Sequence, residues 1–193
     1  MRNEGWIAGI LATLVTWGAG ADEQRRELGA HEHGHSTLNV AIEGTEVAME
    51  LMAPGVDMVG FEHEAESAAD KAALEAAEAK LADPLSLFVM PAAAGCAVQT
   101  ATVEIEGEHH EEADHDEGEE HEAEAEHAAE HNEFHAEYQL ACASPDELGT
   151  IRFGYFEAFP NAMEVEVNVI TEKGQSSFEV ERDAPILDLV GLV

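Results

Sequence analysis

The chain has 193 residues, of which 42 are acidic and only 8 are Lys or Arg, so its formal net charge at pH 7 is −34. Such a charge keeps a protein in solution, attracts cations, and repels the phosphates of nucleic acids and anionic membrane surfaces. These numbers exclude nucleic acid as an expected partner and favour cations as ligands.

Residues 1–21 have the pattern of a secretory signal peptide. Arg2 lies in a short N-terminal region, an apolar stretch follows over 6–17, and the Ala-Gly-Ala sequence that ends at position 21 fits a cleavage site. The apolar stretch is too short for a membrane span, although an uncleaved anchor is the alternative interpretation. The sequence therefore predicts an exported protein, with no membrane span in a mature chain that begins near Asp22.

The first part of the mature chain, 22–107, is predicted to be rich in β-strands with one main helix. Apolar residues alternate on both sides of Gly44, which indicates a β-hairpin over 36–55. Residues 64–83 are rich in Ala and predict a helix, with Ser67 as a possible N-cap. A further strand is predicted over 98–106.

The last part, 133–193, is predicted to form a second β-rich half. Alternating patterns predict strands over 134–142, 150–156, 162–171 and 176–182. Together with the first half, this pattern predicts an α+β fold with mainly antiparallel strands.

Cys96 and Cys142 are expected to form a disulfide, because an exported chain with an even number of cysteines normally pairs them. Two free buried thiols are the alternative. If the strands on either side of the intervening segment pair antiparallel, with Glu106 near Phe134, the two cysteines lie almost opposite each other at the base of a long hairpin.

Between the two halves lies a histidine-rich segment, residues 108–132, which cannot contribute much to a core. The stretch 108–135 contains seven of the eleven histidines and thirteen acidic residues, and its one large apolar side chain is Phe134. Repulsion between these carboxylates predicts a loop that is disordered without metal. Imidazole is a good ligand for zinc, copper and nickel, and carboxylates can complete the coordination shell, so the composition predicts a metal-binding loop rather than one that is merely solvated.

The candidate metal ligands of this stretch are His109, His110, His115, His121, His127, His131 and His135. The last three are spaced four residues apart, so they would share one face if residues 119–135 were helical.

A second histidine group lies at the start of the predicted fold. His31, His33 and His35 come directly before the first strand, and His63 follows the first hairpin. These four residues are further candidate metal ligands, although an isolated histidine such as His63 is as often an ordinary surface or core residue.

The same tract matches the H-E-x-x-H motif of zinc proteases through His31, Glu32 and His35. That motif requires a helix that places both imidazoles on one face, with the glutamate as general base. The residues after His35 have the alternation of a strand, so a zinc-dependent hydrolase is only an alternative. The sequence also lacks nucleophile-elbow, P-loop and dinucleotide-binding motifs, and we expect a protein that is not an enzyme.

Four short motifs, together with the histidine-rich segment, resemble the zinc-regulated periplasmic zinc-binding proteins of Gram-negative bacteria, the ZrgA type. The motifs are HGH at 33–35, GFEH at 60–63, YQLAC at 138–142 and FEAFP at 156–160. The resemblance implies a periplasmic Zn²⁺-binding accessory that supports an ABC-type zinc importer. It also implies two pseudo-symmetric halves, one on each side of the histidine-rich segment. The alternatives within other classes are a nickel, cobalt or copper scavenger and an acidic structural protein with incidental metal affinity.

Overall fold

The computed structural model of the protein describes residues 34–106 and 132–193. The strands are β1 (His35–Glu43), β2 (Glu46–Pro54), β3 (Phe88–Val89), β4 (Cys96–Glu106), β5 (Glu133–Cys142), β6 (Thr150–Phe153), β7 (Glu164–Thr171), β8 (Gly174–Glu181) and β9 (Ile186–Asp188). The helices are α1 (Gly55–Val59), α2 (Ala68–Leu81), α3 (Pro84–Leu87) and α4 (Tyr155–Ala158), with short 3-10 turns at Ala92–Ala94 and Pro145–Glu147. The described residues are thus mostly strands with few helices, which agrees with the predicted α+β class.

Six strands form one large sheet in the order β4-β5-β2-β1-β7-β8, and a small sheet has the order β3-β6-β9. Among the described strands, β1 and β7 run parallel and every other pair is antiparallel. Strands from before and after the histidine-rich segment are interleaved in the large sheet, because β5 lies between β4 and β2. The two predicted halves therefore contribute to one sheet.

One face of the large sheet forms the core. Leu38, Val40 and Ile42 alternate along β1 and are buried, and the other central strands follow the same period of two. Leu74 and Leu81 of helix α2 belong to the same buried cluster, and the small sheet adds a group of aromatic rings. Burial of this apolar surface is the main stabilising contribution to the fold. No helix in the described part of the chain is long and apolar enough to cross a membrane.

Helix α2 begins and ends close to the predicted limits. The Ser67 side chain accepts a hydrogen bond from the Asp70 amide at 3.1 Å, and the Asp70 carboxylate accepts one from the Ser67 amide at 3.2 Å. This reciprocal capping box starts the helix at Ala68. The helix ends at Leu81, shortly before Pro84, as predicted.

The disulfide between Cys96 and Cys142 is confirmed, and it joins strands β4 and β5. The two cysteines are direct register partners, and at the other end of the pairing Glu106 lies opposite Glu133. The predicted hairpin is therefore correct to within one residue, the difference arising from a register shift between Val98 and Thr100.

The predicted strand over 150–156 is three residues too long, because β6 ends at Phe153. Gly154 then passes so close to the backbone of Ser86 that a Cβ atom would lie 2.5 Å from its carbonyl oxygen. The chain turns at this point into α4, which places Tyr155 in the core.

The opposite face of the large sheet, called the open face below, is polar. Its six strands contain no Lys or Arg. Five pairs of glutamates stand directly opposite each other across neighbouring strands: Glu43 and Glu46, Glu50 and Glu137, Glu106 and Glu133, Glu164 and Glu181, and Glu166 and Glu179. Like charges in opposed positions destabilise a sheet, so this face has a charge pattern that stability alone does not favour.

Candidate metal site

Glu50, His135 and Glu137 lie together on the open face. The β2–β5 pairing places Glu50 opposite Glu137, and His135 is two residues before Glu137 on the same strand. Successive side chains of a strand point to opposite faces, so His135 and Glu137 project to the same side. One ligand atom from each of the three residues lies within 4.8 Å of the other two.

Within this group, the Nε2 atom of His135 lies 3.0 Å from the Oε1 atom of Glu50. The side chain of His135 is 25% exposed and that of Glu50 is 42% exposed, so an ion from solution reaches both. Nε2 is thus the ring nitrogen that faces the carboxylate. Imidazole binds a metal only through a deprotonated nitrogen, so metal ions and protons compete for this atom.

The donor set fits zinc by its chemistry. Zinc is commonly bound by imidazole nitrogen and carboxylate oxygen in four-coordinate sites, and sites with three protein ligands keep one position for water or an exchanging ligand. Glu50, His135 and Glu137 provide one imidazole and two carboxylates. Three such ligands would hold a four-coordinate zinc ion and leave its fourth position for water or an exchanging ligand.

Strand β5 fixes the position of His135 firmly, because it is bonded to β4 on one side and to β2 on the other. The entry to this strand is also anchored. The backbone of Asn132 donates to the Glu62 carbonyl at 3.1 Å, its carbonyl accepts from the Gly55 amide at 2.7 Å, and its side chain donates to the His63 carbonyl at 2.8 Å. The fold therefore includes Asn132, the last residue of the predicted histidine-rich segment.

His35 lies on the same open face but outside this group. Its Nδ1 atom is 3.4 Å from Glu164 Oε1, and its side chain is 46% exposed. Because β1 is two strands away from β5 and His35 is displaced along the sheet, strand spacing puts it about 12 Å from His135.

His63 lies beside the first turn of α2. Its Nε2 atom is 3.8 Å from Asp70 Oδ2, and its ring centroid is 4.6 Å from that of Phe61. The hydrogen bond from Ser67 lowers the pKa of Asp70, and His63 contributes a smaller effect in the same direction. The three described histidines, His35, His63 and His135, are therefore not gathered in one site.

The remaining predicted ligands lie outside the described residues. They are His31, His33, His109, His110, His115, His121, His127 and His131.

The described residues bear on two alternatives that the sequence left open. The shared helical face of His127, His131 and His135 is wrong for His135, because this residue lies in β5 with a neighbouring strand on each side. The H-E-x-x-H motif of a zinc protease would need His35 to lie in a helix. His35 is instead the first residue of strand β1.

Sequence reasoning missed Glu50 and Glu137 as candidate ligands. The spacing of His135 and Glu137 in an alternating strand was sufficient to place them on one face. Glu50 had no such local indication, because it reaches the site only through the pairing of β2 with a strand more than eighty residues later in the chain.

Comparison with known proteins gives one family. A family model described as ZrgA family zinc uptake protein matches residues 30–189, which is most of the chain. No curated protein matches the chain.

Proposed function

Because this chain belongs to the ZrgA family of zinc uptake proteins, we propose that it binds zinc in the periplasm and supports its delivery to an ABC-type zinc importer. The observation that carries the proposal is the group formed by Glu50, His135 and Glu137, whose ligand atoms converge on the open face. The direct partner in this proposal is a periplasmic component of the importer.

The proposed mechanism has two stages, capture and hand-over. The histidine-rich segment collects zinc through several sites, to which its imidazoles and carboxylates contribute. The ordered site of Glu50, His135 and Glu137 receives an ion next to that segment, since Glu106 and Glu133, which flank it, are opposed in the β4–β5 pairing. Its exposed ligands and its fourth position then allow exchange with a partner.

Zinc is the metal that the described donors support best. Both cysteines are joined in a disulfide, so neither offers a thiolate to copper(I). Imidazole with two carboxylates is a donor set that zinc accepts readily.

We propose a binding role and no catalytic one. The hydrolase alternative needs a helix through His31 and His35, whereas His35 is the first residue of a strand. The proposed periplasmic location is supported by the disulfide, because disulfides persist in oxidising compartments.

The proposed organisation of the chain is a signal peptide at 1–21, a first half at 22–107, the histidine-rich segment at 108–132 and a second half at 133–193. Pseudo-symmetry between the halves stays a prediction. It is supported by the antiparallel hairpin that each half contributes to the large sheet, β1–β2 and β7–β8.

The test is a zinc titration of the full-length mature protein by calorimetry, with two variants. In the segment-His variant, Asn replaces His109, His110, His115, His121, His127 and His131. We expect the wild type to bind more than one zinc ion, the segment-His variant to lose most of this stoichiometry, and His135→Ala added to that variant to remove one further site. Unchanged stoichiometry in the segment-His variant would show that the segment histidines are not the ligands. Thermal unfolding of each variant is the control, because an unchanged melting temperature excludes misfolding as the cause of lost binding.

A further inference from the structure

A row of polar side chains crosses the open face and ends at the candidate zinc site. Ser177, Asn168, Asn39 and Glu50 are successive register partners on β8, β7, β1 and β2. Ser177 Oγ lies 2.6 Å from Asn168 Oδ1, Asn168 Nδ2 lies 3.3 Å from Asn39 Oδ1, and Asn39 Nδ2 lies 3.1 Å from Glu50 Oε2. The row connects four strands through one continuous chain of hydrogen bonds.

The carboxylate at the end of the row determines the direction of every hydrogen bond in it. An ionised carboxylate only accepts, so Asn39 must turn its amide nitrogen towards Glu50. The oxygen of Asn39 then faces Asn168, which must also present its nitrogen. The oxygen of Asn168 in turn faces Ser177, whose hydroxyl donates. The donors and acceptors of the row are thus matched to an ionised Glu50.

The same arrangement gives the two oxygens of Glu50 different roles. Oε2 accepts from Asn39, whereas Oε1 lies 3.0 Å from His135 Nε2 and faces the zinc site. A carboxylate held in this way presents one oxygen to a metal ion. Four-coordinate zinc is satisfied by single oxygen atoms, whereas calcium takes six to eight oxygens and often uses both atoms of a carboxylate.

We propose that Asn39 is a positioning residue that makes the Glu50–His135–Glu137 site selective for zinc over calcium, an inference that rests on the proposed function. By holding Oε2, Asn39 orients Oε1 beside the imidazole and disfavours two-oxygen binding by Glu50. Asn168 and Ser177 act through Asn39, because they fix its amide in the orientation that donates to Glu50.

The experiment uses the full-length segment-His variant as its background, so that the ordered site dominates zinc binding. Zinc affinity is measured by competition with a chromophoric chelator, with and without excess calcium. Asn39→Ala is compared with Thr37→Ala, a matched control on the same strand and the same face, whose register partners are Met52 and Glu166. Thermal unfolding of each variant reports whether the sheet is intact.

We expect Asn39→Ala to weaken zinc binding about ten-fold, the usual order for removal of a residue that orients a metal ligand. Calcium should then compete more strongly with zinc than it does in the background protein, and Thr37→Ala should change neither property. Asn168→Ala should produce a smaller effect of the same sign and provides a second test if Asn39→Ala unfolds. In a Glu50→Gln background, Asn39→Ala should have no further effect on zinc affinity.

A purely structural role of Asn39 would weaken zinc and calcium binding in parallel, and that result would overturn the inference. An effect of Asn39→Ala no larger than that of Thr37→Ala would overturn it as well.

The His135→Ala variant distinguishes failure of the zinc site from failure of the positioning role of Asn39. If His135→Ala removes zinc binding while Asn39→Ala leaves selectivity unchanged, only the positioning role is wrong. If His135→Ala leaves zinc binding unchanged, the zinc site itself is wrong and the inference falls with it.

Discussion

Cys96 and Cys142 are direct partners in the pairing of β4 with β5 and are joined by a disulfide. The bond lies at the far end of these strands from Glu106 and Glu133, between which the histidine-rich segment is inserted. It therefore closes a covalent ring that contains the whole segment and both strands that carry it.

Replacement of both cysteines by serine should lower the free energy of unfolding by about 4 kcal/mol in the chain-entropy model for a loop of this length. The disulfide restricts the unfolded chain, and its loss restores that freedom. Urea denaturation of the wild type and of the double variant measures the difference. A reducing agent should destabilise the wild type and leave the variant unaffected; equal stability of the two proteins would contradict the prediction.

Zinc affinity should fall steeply as the pH decreases from about 7.5 to about 5.5, because free histidine titrates near pH ~6.5 and only the neutral ring binds metal. Binding should release protons over the same range. Calorimetry in buffers of different ionisation enthalpy measures this release. Carboxylates remain ionised down to about pH 4, so an affinity that is flat over this range would show that the ligands are carboxylates alone.

Tyr155→Phe should destabilise the protein by about 1–3 kcal/mol, because it leaves a buried hydroxyl without its partner. Tyr155 Oη and Ser36 Oγ lie 2.8 Å apart, and both residues are buried. Burial also raises the pKa of Tyr155, so the phenol remains protonated. Tyr138→Phe is the matched control, since the Tyr138 hydroxyl is buried without a hydrogen-bond partner among the described residues. The free energy of unfolding of the Tyr138→Phe variant should equal or exceed that of the wild type.

Ser67→Ala should destabilise the fold by roughly 1 kcal/mol at neutral pH, the usual value for loss of an N-cap. The Ser67 hydrogen bond lowers the pKa of Asp70 in the folded state. The ionised carboxyl therefore stabilises the fold above its unfolded pKa, and this contribution is lost as the pH falls through the lower folded pKa. Denaturation at neutral pH and below about pH 4 should show that the difference between wild type and Ser67→Ala shrinks in acid. A constant difference would mean that the Asp70 carboxylate does not depend on Ser67.

The sequence was informative wherever structure depends on neighbours along the chain. The alternation around Gly44 predicted the β1–β2 hairpin, and Ser67 predicted the start of α2. The two cysteines predicted the β4–β5 register to within one residue, because a covalent bond restricts which strands can pair. Helices α1, α3 and α4 were not predicted, since four or five residues are too few to establish a helical period.

The candidate site was predicted only in part, because it depends on contacts between distant segments. His135 was recognised by its residue type. Glu50 and Asn39 were not, because their places follow from the pairing of β2 with β5 and of β1 with β2 across the sheet. The parallel pairing of β1 with β7, which completes the row to Asn168, has no local pattern that indicates it.

The five opposed glutamate pairs of the open face have a consequence for the protein in its surroundings. Folding brings these carboxylates together, whereas they are far apart in the unfolded chain. Repulsion between them therefore destabilises the native state. Ions that screen or neutralise the face relieve this repulsion in the folded state alone. The stability of the fold therefore depends on the cations in the surrounding solution, and the free energy of unfolding should rise with the cation concentration.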